Sequence, residues 1–459
     1  MTDDVAGSVA ETVAECPDAV TTYLLCSGAG TFYYPTKVGD VCALDLASRG
    51  RKAMLRALHK RGVDPFGMLL KALKDAGKET FVTYRMNDVH NADEPDHPLV
   101  PRFKKEHPDC VVDPVAIREG RANWMSFCYD YTREDVRDYI LATMRELIEW
   151  YEFDGLQLDW MRFPRHLSGT PDEVWDKRSV LTDFIAEVRQ LLNGARGRRR
   201  LLSARVPTSP AGCRFVGLDV AEWTYRQLVD FVVATPFLAT DFVMPIAELR
   251  SLMVGHPVPI YADIEFEHGV QVHCPESLRA TALNLYDCGA DGIYLFNFPC
   301  WTEYIASRPY HWIAPFASPE TASAKPLLFS LTNRQHRLAS VDLAGVLPVA
   351  VPPKETVELT IRLPERAFPA RRSLVLVHSG GDVTLSVNGK RSDELAFLRR
   401  SELFPEYVPH AQHDRRPKNE DCRVFNVPVG TLRVGENRLA FENVSNTELR
   451  LERVNLGLW

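Results

Sequence analysis

The strongest constraint on this chain is a rhythm. From about residue 20 to about residue 300, short apolar runs alternate with amphipathic stretches, and eight such runs begin near residues 21, 80, 125, 155, 201, 231, 258 and 292. A run, helix, run order of this kind builds parallel strands joined by crossover helices rather than a sandwich. The connections carry their own punctuation. Asp64-Pro65 offers a side-chain cap and a proline at the first helical position ahead of Phe66, Leu69, Leu70 and Leu73, and Gly77 closes that helix. Thr132 and Asp135 are expected to open a long helix with Val136, Ile140, Met144, Leu147 and Tyr151 along one side. Pro275 starts another, carrying Leu278, Ala282, Leu285 and Tyr286 and ending at Gly289. Eight runs over this length predict an α/β chain with a (β/α)8 TIM barrel at residues 20–315. A doubly wound open sheet is the alternative, but SGAGTFYYP after the first run lacks the glycine spacing of a dinucleotide fingerprint.

Beyond Trp301 the pattern changes. APFASPETASAKP is rich in proline, alanine and serine, and places a linker at 316–326. TVELTIRL, SLVLVHSG, DVTLSVNGK, VFNVPV and NRLAFENV then alternate with period two, which predicts an accessory β-sandwich at 327–459. Asn388-Gly389 and Gly435-Glu436-Asn437 read as its hairpin turns. With no evident aromatic platform, the sandwich is expected to be structural. Residues 1–19 form an N-terminal extension.

Composition narrows the partners. The 459 residues are 45% hydrophobic and 25% charged, as in ordinary globular chains. A net charge of −7 without a long basic block argues against nucleic acid. MTDDVAGSVAETVAEC has neither a basic n-region nor an apolar h-region, and no run reaches the ~18 apolar residues of a membrane span. A cytoplasmic protein is expected, one able to form a homo-oligomer. The ten cysteines show no CxxC or zinc spacing and read as reduced core thiols, so no metal and no cofactor is expected.

Reactive groups of a parallel barrel lie where strands end. The decisive stretch is YEFDGLQLDWMRFPR, in which Gly155, Gln157 and Asp159 share one face of a strand and Leu156 and Leu158 the other. A carboxylate at the inner end of an apolar strand is costly unless partnered, which singles out Asp159 as catalytic. PIYADIEFE supplies the partner: Tyr261, Asp263 and Glu265 share a face opposite Ala262, Ile264 and Phe266, with Glu265 nearer the carboxyl end and Asp263 the deeper alternative. Other run ends contribute Arg85, Asn87, Asp88, His90, Tyr129, Asp130, Trp160, Arg162, Arg205 and Asn297 as substrate-binding candidates. Arg85 and Arg162 have a plainer alternative as ion pairs that brace loops. Two carboxylates among Trp124, Tyr129, Trp160 and several arginines suit hydrolysis of a glycosidic bond, one protonating the leaving oxygen and the other acting as nucleophile or activating water.

YRMNDVH, HPDC, NWMSFCYDYTREDVRDYILATMREL and YEFDGLQLDWMRFP together resemble the glycosyl-hydrolase-like family ten group of barrel proteins. In that group DG-x-x-x-D closes a strand and an aromatic, Arg and Pro follow. The resemblance spans roughly residues 80–165 and implies a (β/α)8 fold and carbohydrate hydrolysis, with Asp159 as the acidic strand end and Arg162 as the following arginine. Gln157, where a charged or smaller polar residue is usual, is a departure from it. Two rival functions remain: a non-catalytic carbohydrate-binding protein on the same fold, and a metal-dependent hydrolase or lyase using Asp88, His90 and Asp130, for which no HExxH spacing is present.

Overall fold

The computed structural model of the chain describes residues 4–42, 55–195, 197–265, 273–303, 309–333, 346–405 and 421–459. Contacts divide the chain into two units, Met1–Thr235 with Glu248–Pro259, and Pro236–Ala247 with Ile260–Trp459.

The first unit opens with helix α1 (Val5–Glu15), capped by Asp4. Five parallel strands follow in chain order: β1 (Thr22–Cys26), β2 (Glu79–Arg85), β3 (Gly155–Asp159), β4 (Leu201–Val206) and β5 (Phe231–Ala234), each paired with the next. Helix α2 (Pro65–Asp75) precedes β2 and begins as expected, with the Asp64 carboxylate accepting from the Phe66 N–H. Helix α3 (Glu134–Trp150) precedes β3, and α4 (Ser179–Asn193) precedes β4. The cap foreseen for α3 is absent. Asp130 Oδ1 takes both the N–H and the hydroxyl of Thr132, so the cap position falls to Arg133, whose side chain makes no cap bond.

The run near residue 125 is no strand, and seven parallel strands rather than eight occur among the described residues, five here and two in the second unit. Asn123 and Ser126 form a reciprocal capping box that winds Trp124–Phe127 into a 3-10 turn, which removes the extended backbone a strand needs. Residues 86–133 are therefore one long excursion between β2 and α3, with short helices at Arg102–Glu106 and Pro114–Arg118.

Register stacks the inner face of β2 to β4 in layers. The first pairs Phe81 with Gly155, where a Cβ would lie 2.2 Å from the Phe81 ring, so only glycine leaves room for it. Next come Thr83, Gln157 and Ser203, joined by a 3.0 Å hydrogen bond from the Thr83 hydroxyl to Gln157. The last layer, at the carboxyl ends, is Arg85, Asp159 and Arg205. Val82, Leu156, Leu158, Leu202 and Ala204 on the opposite face are fully buried, as expected of a parallel sheet covered by helices.

The second unit contains β6 (Ile260–Ile264), helix α5 (Pro275–Asp287) and β7 (Gly292–Leu295), with β6 and β7 parallel. Gly289 closes α5 with φ +98°. Phe266 lies outside the described residues. An antiparallel body follows: β8 (Leu327–Ser330), β9 (Val349–Val351), β10 (Thr356–Leu363), β11 (Ser373–Ser379), β12 (Val383–Val387), β13 (Lys390–Arg399), β14 (Asp421–Asn426), β15 (Gly435–Asn443) and β16 (Leu449–Leu458). The order across it is β8-β16-β11-β14-β13-β12-β15-β10, with β9 also on β16. Strand β13 passes from one sheet to the other, pairing β12 through its first residues and β14 through the rest, with a bulge at Glu394/Ala396. Asn388 and Gly389, both at positive φ, form the two-residue turn between β12 and β13. Gly435-Glu436-Asn437 is not a turn but the start of β15; Asn437 reaches back to bond Arg433 and so closes the turn just ahead of it.

Residues 316–326 contain a one-turn helix, Pro319–Ala322, capped by Ser318, and Ala322 is buried. Cys274, at the head of α5, packs with Leu328, Leu374, Leu376 and Phe404, so α5 shares a core with the strands that follow it. None of the ten cysteines is in a disulfide; seven are buried, Cys26 and Cys288 are partly buried and Cys300 is exposed, so three depart from the core position expected of them. Among the described residues no helix is long and apolar enough to cross a membrane.

Candidate active site

The outermost layer of the first unit is charged because its strands end in register. Asp159 is 1% exposed, and Arg205 Nη1 donates to its Oδ2 at 2.8 Å. The backbone N–H groups of Met161 and Arg162 both donate to Oδ1 at 3.1 Å. Three donors thus converge on a carboxylate shut away from water, the surroundings of a group that carries negative charge. A carboxylate so placed can stabilise positive charge that develops nearby.

Arg85 flanks the same layer and donates to Asp88 Oδ2 at 2.8 Å. The other Asp88 oxygen meets His90 Nδ1 at 2.7 Å, and His90 Nε2 lies 2.9 Å from Arg162 Nη2. Arginine only donates, so Nε2 must accept, and the proton sits on Nδ1, facing Asp88. The result is a continuous chain Arg85, Asp88, His90, Arg162, whose last member returns through its own N–H to Asp159. Burial works to raise the Asp88 carboxyl, but the His90 hydrogen bond and the Arg85 charge outweigh it and hold the group well below the usual carboxylate range. Arg85 thus forms an ion pair that braces the loop after its own strand, and Arg162 reaches from the loop after β3 to His90 in the loop after β2.

Other candidates are placed differently. Asn87 is fully buried; its carbonyl accepts from the Tyr129 N–H and its amide donates to Arg165 O and to His166 Nδ1. Asp130 is spent on Thr132. Trp160 is 0% exposed and packs edge-on against Tyr131 and His166, so its ring presents no face to a ligand. Tyr129 is buried under the Lys104 ammonium, 4.3 Å from its ring centre. Lys104 was invisible to sequence reasoning, one of two lysines in RFKKE, yet its Nζ donates to Asp88 O at 3.2 Å and Phe127 O at 2.8 Å and so ties two parts of the 86–133 excursion together. A cavity of about 20 Å³ lies among Ser27, Phe32, Arg85, Asp88, Tyr129 and Tyr139, room for about one water and not for a sugar ring.

In the second unit Asp263 is 0% exposed and stands level with Tyr294. Glu265 follows β6, half-buried, with its backbone N–H donating to Thr240 Oγ1 at 3.0 Å. Asn297 is exposed, at φ +50°. The set weighed for a metal does not gather: Asp88 and His90 bond each other, Asp130 bonds Thr132, and among the described residues no three acidic, histidine or cysteine side chains could hold an ion.

No protein-family model matches the chain. No curated protein matches it either. Solved structures to which it is similar include the glycoside hydrolase domain of PgaB (BpsB) from Bordetella bronchiseptica, at 13% identity over 69% of this chain and 96% of that one, with a TM-score of 0.44. A GH36 α-galactosidase from Geobacillus stearothermophilus follows at 14% identity, 95% and 53% coverage and a TM-score of 0.42. A cycloisomaltooligosaccharide glucanotransferase from Paenibacillus sp. stands at 11%, 99% and 56%, and 0.35. The chain spans about half the length of the last two. Likenesses of this size carry no weight for the site.

Proposed function

We propose that this chain is a glycoside hydrolase that cleaves oligosaccharides or glycosides with Asp159 and Glu265, Asp263 being the alternative second carboxylate. The observation that carries the reading is the burial of Asp159 at the carboxyl end of β3 among Arg205 and two N–H donors. A carboxylate so supplied with donors suits attack on an anomeric carbon or stabilisation of an oxocarbenium-like transition state, which leaves proton donation to its partner.

Register favours Glu265 for that second role. Asp159 stands four residues beyond Gly155, and Arg85 four beyond Phe81, in the layer that ends the strands. Within its own strand Asp263 stands level with Tyr294, whereas Glu265 follows Ile264, the last residue of β6, and so lies nearer the carboxyl end. Arg85, His90, Arg162 and Arg205 would set the position of Asp159 and its loop, with Asn87, Tyr129, Asp130, Trp160 and Asn297 supporting the walls. The group named from the motif, the eight-stranded barrel, the cytoplasmic location and the division into 1–19, 20–315, 316–326 and 327–459 belong to the same proposal.

The test is turnover of a panel of aryl glycosides and oligosaccharides by the wild type and by Asp159→Asn and Glu265→Gln, with folding followed by circular dichroism. Loss of turnover in both variants at unchanged fold is expected. A wild type that cuts none of the panel would leave the proposal without support. The stereochemistry of the first product reads the carboxylate spacing, retention for about 5 Å and inversion for about 6.5–9.5 Å. One observation favours a second reading, a carbohydrate-binding protein without turnover: both oxygens of Asp159 are already engaged and 99% of its surface is buried. Calorimetric binding without cleavage would decide for it.

A further inference from the structure

Most of the large apolar side chains left in water by the described residues sit away from the strand ends of the first unit. Tyr225, 68% exposed, ends the helix just before β5, and Trp150, 40% exposed, ends α3 just before β3, so both lie where strands begin. Phe397, 65% exposed, is on β13 of the antiparallel body with Arg423 against its ring. Trp124 is different. It is 67% exposed and belongs to the 86–133 excursion that leaves the carboxyl end of β2. A Trp left this bare forgoes apolar burial, and here the backbone beneath it is held firmly, which keeps the ring presented.

Three contacts tie that ring to the charged layer. The capping box of Asn123 and Ser126 fixes the turn under it, and Phe163, at φ +58°, meets it edge-on at 6.4 Å. Phe163 in turn touches the His90 ring at 5.3 Å and carries the Arg162 guanidinium 5.2 Å from its centre. An exposed indole face therefore stands beside a polar, charged edge made of the Arg162 guanidinium and the His90 ring, whose two nitrogens are engaged by Asp88 and Arg162. An apolar face beside a polar edge fits a pyranose ring, which has an apolar face of C–H groups and an edge of hydroxyls.

We propose that Trp124 is the stacking platform of an outer sugar subsite, with His90 and Arg162 at its polar edge, so that the ligand is an oligosaccharide extending past the strand-end carboxylate and not a single glycoside. This rests on the carbohydrate reading above but does not require cleavage. The test uses the full chain with cellotetraose, maltotetraose, xylotetraose, chitotetraose and tetragalacturonic acid, binding being followed by calorimetry and tryptophan fluorescence. Trp124 is surface-exposed, so Trp124→Ala and Trp124→Phe are expected to fold. At least one tetrasaccharide should bind the wild type, bind Trp124→Ala about tenfold more weakly and regain part of that loss in Trp124→Phe. Binding unchanged within twofold in Trp124→Ala, or no binding by any of the five, overturns the subsite. A tetrasaccharide bound through Trp124 but left uncut retires hydrolysis and keeps the subsite, whereas one cut by the wild type with unaltered KM in Trp124→Ala does the reverse.

Discussion

Strands β3 and β7 begin in the same way and end differently. Each opens with Asp-Gly. Asp154 Oδ2 accepts from the Thr80 N–H of the preceding strand at 2.8 Å, and Asp291 Oδ2 accepts from the Ile260 N–H of its preceding strand, also at 2.8 Å. Both glycines lie under an aromatic ring of that neighbour: an added Cβ would come 2.2 Å from Phe81 at Gly155 and 2.6 Å from Tyr261 at Gly292. Past this shared start, β3 runs through Gln157 to the buried, three-donor Asp159, while β7 runs through Tyr294 to the buried, apolar Phe296, with the exposed Asn297 one residue further on. The Asp-Gly pair is thus a device for seating one parallel strand beside another, and the two strands part only at their carboxyl ends.

The sharpest way to break that comparison is at the strand ends. Asp159→Asn should lower turnover by on the order of 10³-fold or more, with circular dichroism unchanged, whereas Asn297→Ala should change it by less than about tenfold. Removing the other half of the buried pair is a stability experiment. Arg205→Met should cost about 3–5 kcal/mol in denaturant unfolding, because the buried Asp159 is then left without its counter-charge.

At the strand starts the glycines should separate by how free the ring above them is. Gly155→Ala should cost about 1–3 kcal/mol, because Phe81 is 0% exposed and cannot yield, and Gly292→Ala less, because Tyr261 is only half-buried. Asp154→Ala should cost about 1–3 kcal/mol by leaving the Thr80 N–H without its acceptor, with Asp291→Ala milder because that carboxylate is exposed. None of these four changes should remove activity from the protein that remains folded.

The smallest effect per step is a pH dependence shared by the two units. Burial pushes the His166 imidazole down to about 3 against the pull of the Trp160 carbonyl, and burial alone pushes His273 down to about 3. Both are neutral when folded, and the unfolded chain takes up their protons near its ordinary value of about 6.5. Their stabilising contribution is therefore complete above about pH 6.5 and falls as the pH drops toward 3, by up to about 1.4 kcal/mol per pH unit for each. Asp88, held low, adds loss of the same sign further down, below its unfolded value of about 3.9. Urea midpoints at pH 7, 6 and 5 should decline, and His166→Gln should flatten the first unit's share.

Much of this was legible in sequence because periodicity reports burial. Seven of the eight runs are strands, Asp64 caps its helix, and the inward set Gly155, Gln157 and Asp159 follows from alternation alone. NWMSFCYDY misled because aromatic and apolar residues favour strands, while the Asn123/Ser126 capping box that wins locally involves two ordinary polar residues. Thr132 looked like a cap, but a cap candidate two residues from an aspartate can be claimed by it, as Asp130 does. The partners of Asp159 could not be read at all. Arg205 lies 46 positions away in the chain, and only sheet register sets the two side by side.

The 86–133 excursion is tied across its own length as well as to the loop after β3. Lys104 ties the Asp88 end to the Phe127 end, and Asn87 receives the Tyr129 N–H. A segment so closed can change its tip without disturbing the strands that carry it. On the proposed reading, residues around Trp124 can be exchanged to alter which glycan is admitted while Asp159 and Arg205 stay as they are, so that ligand choice and bond chemistry are free to diverge at separate rates.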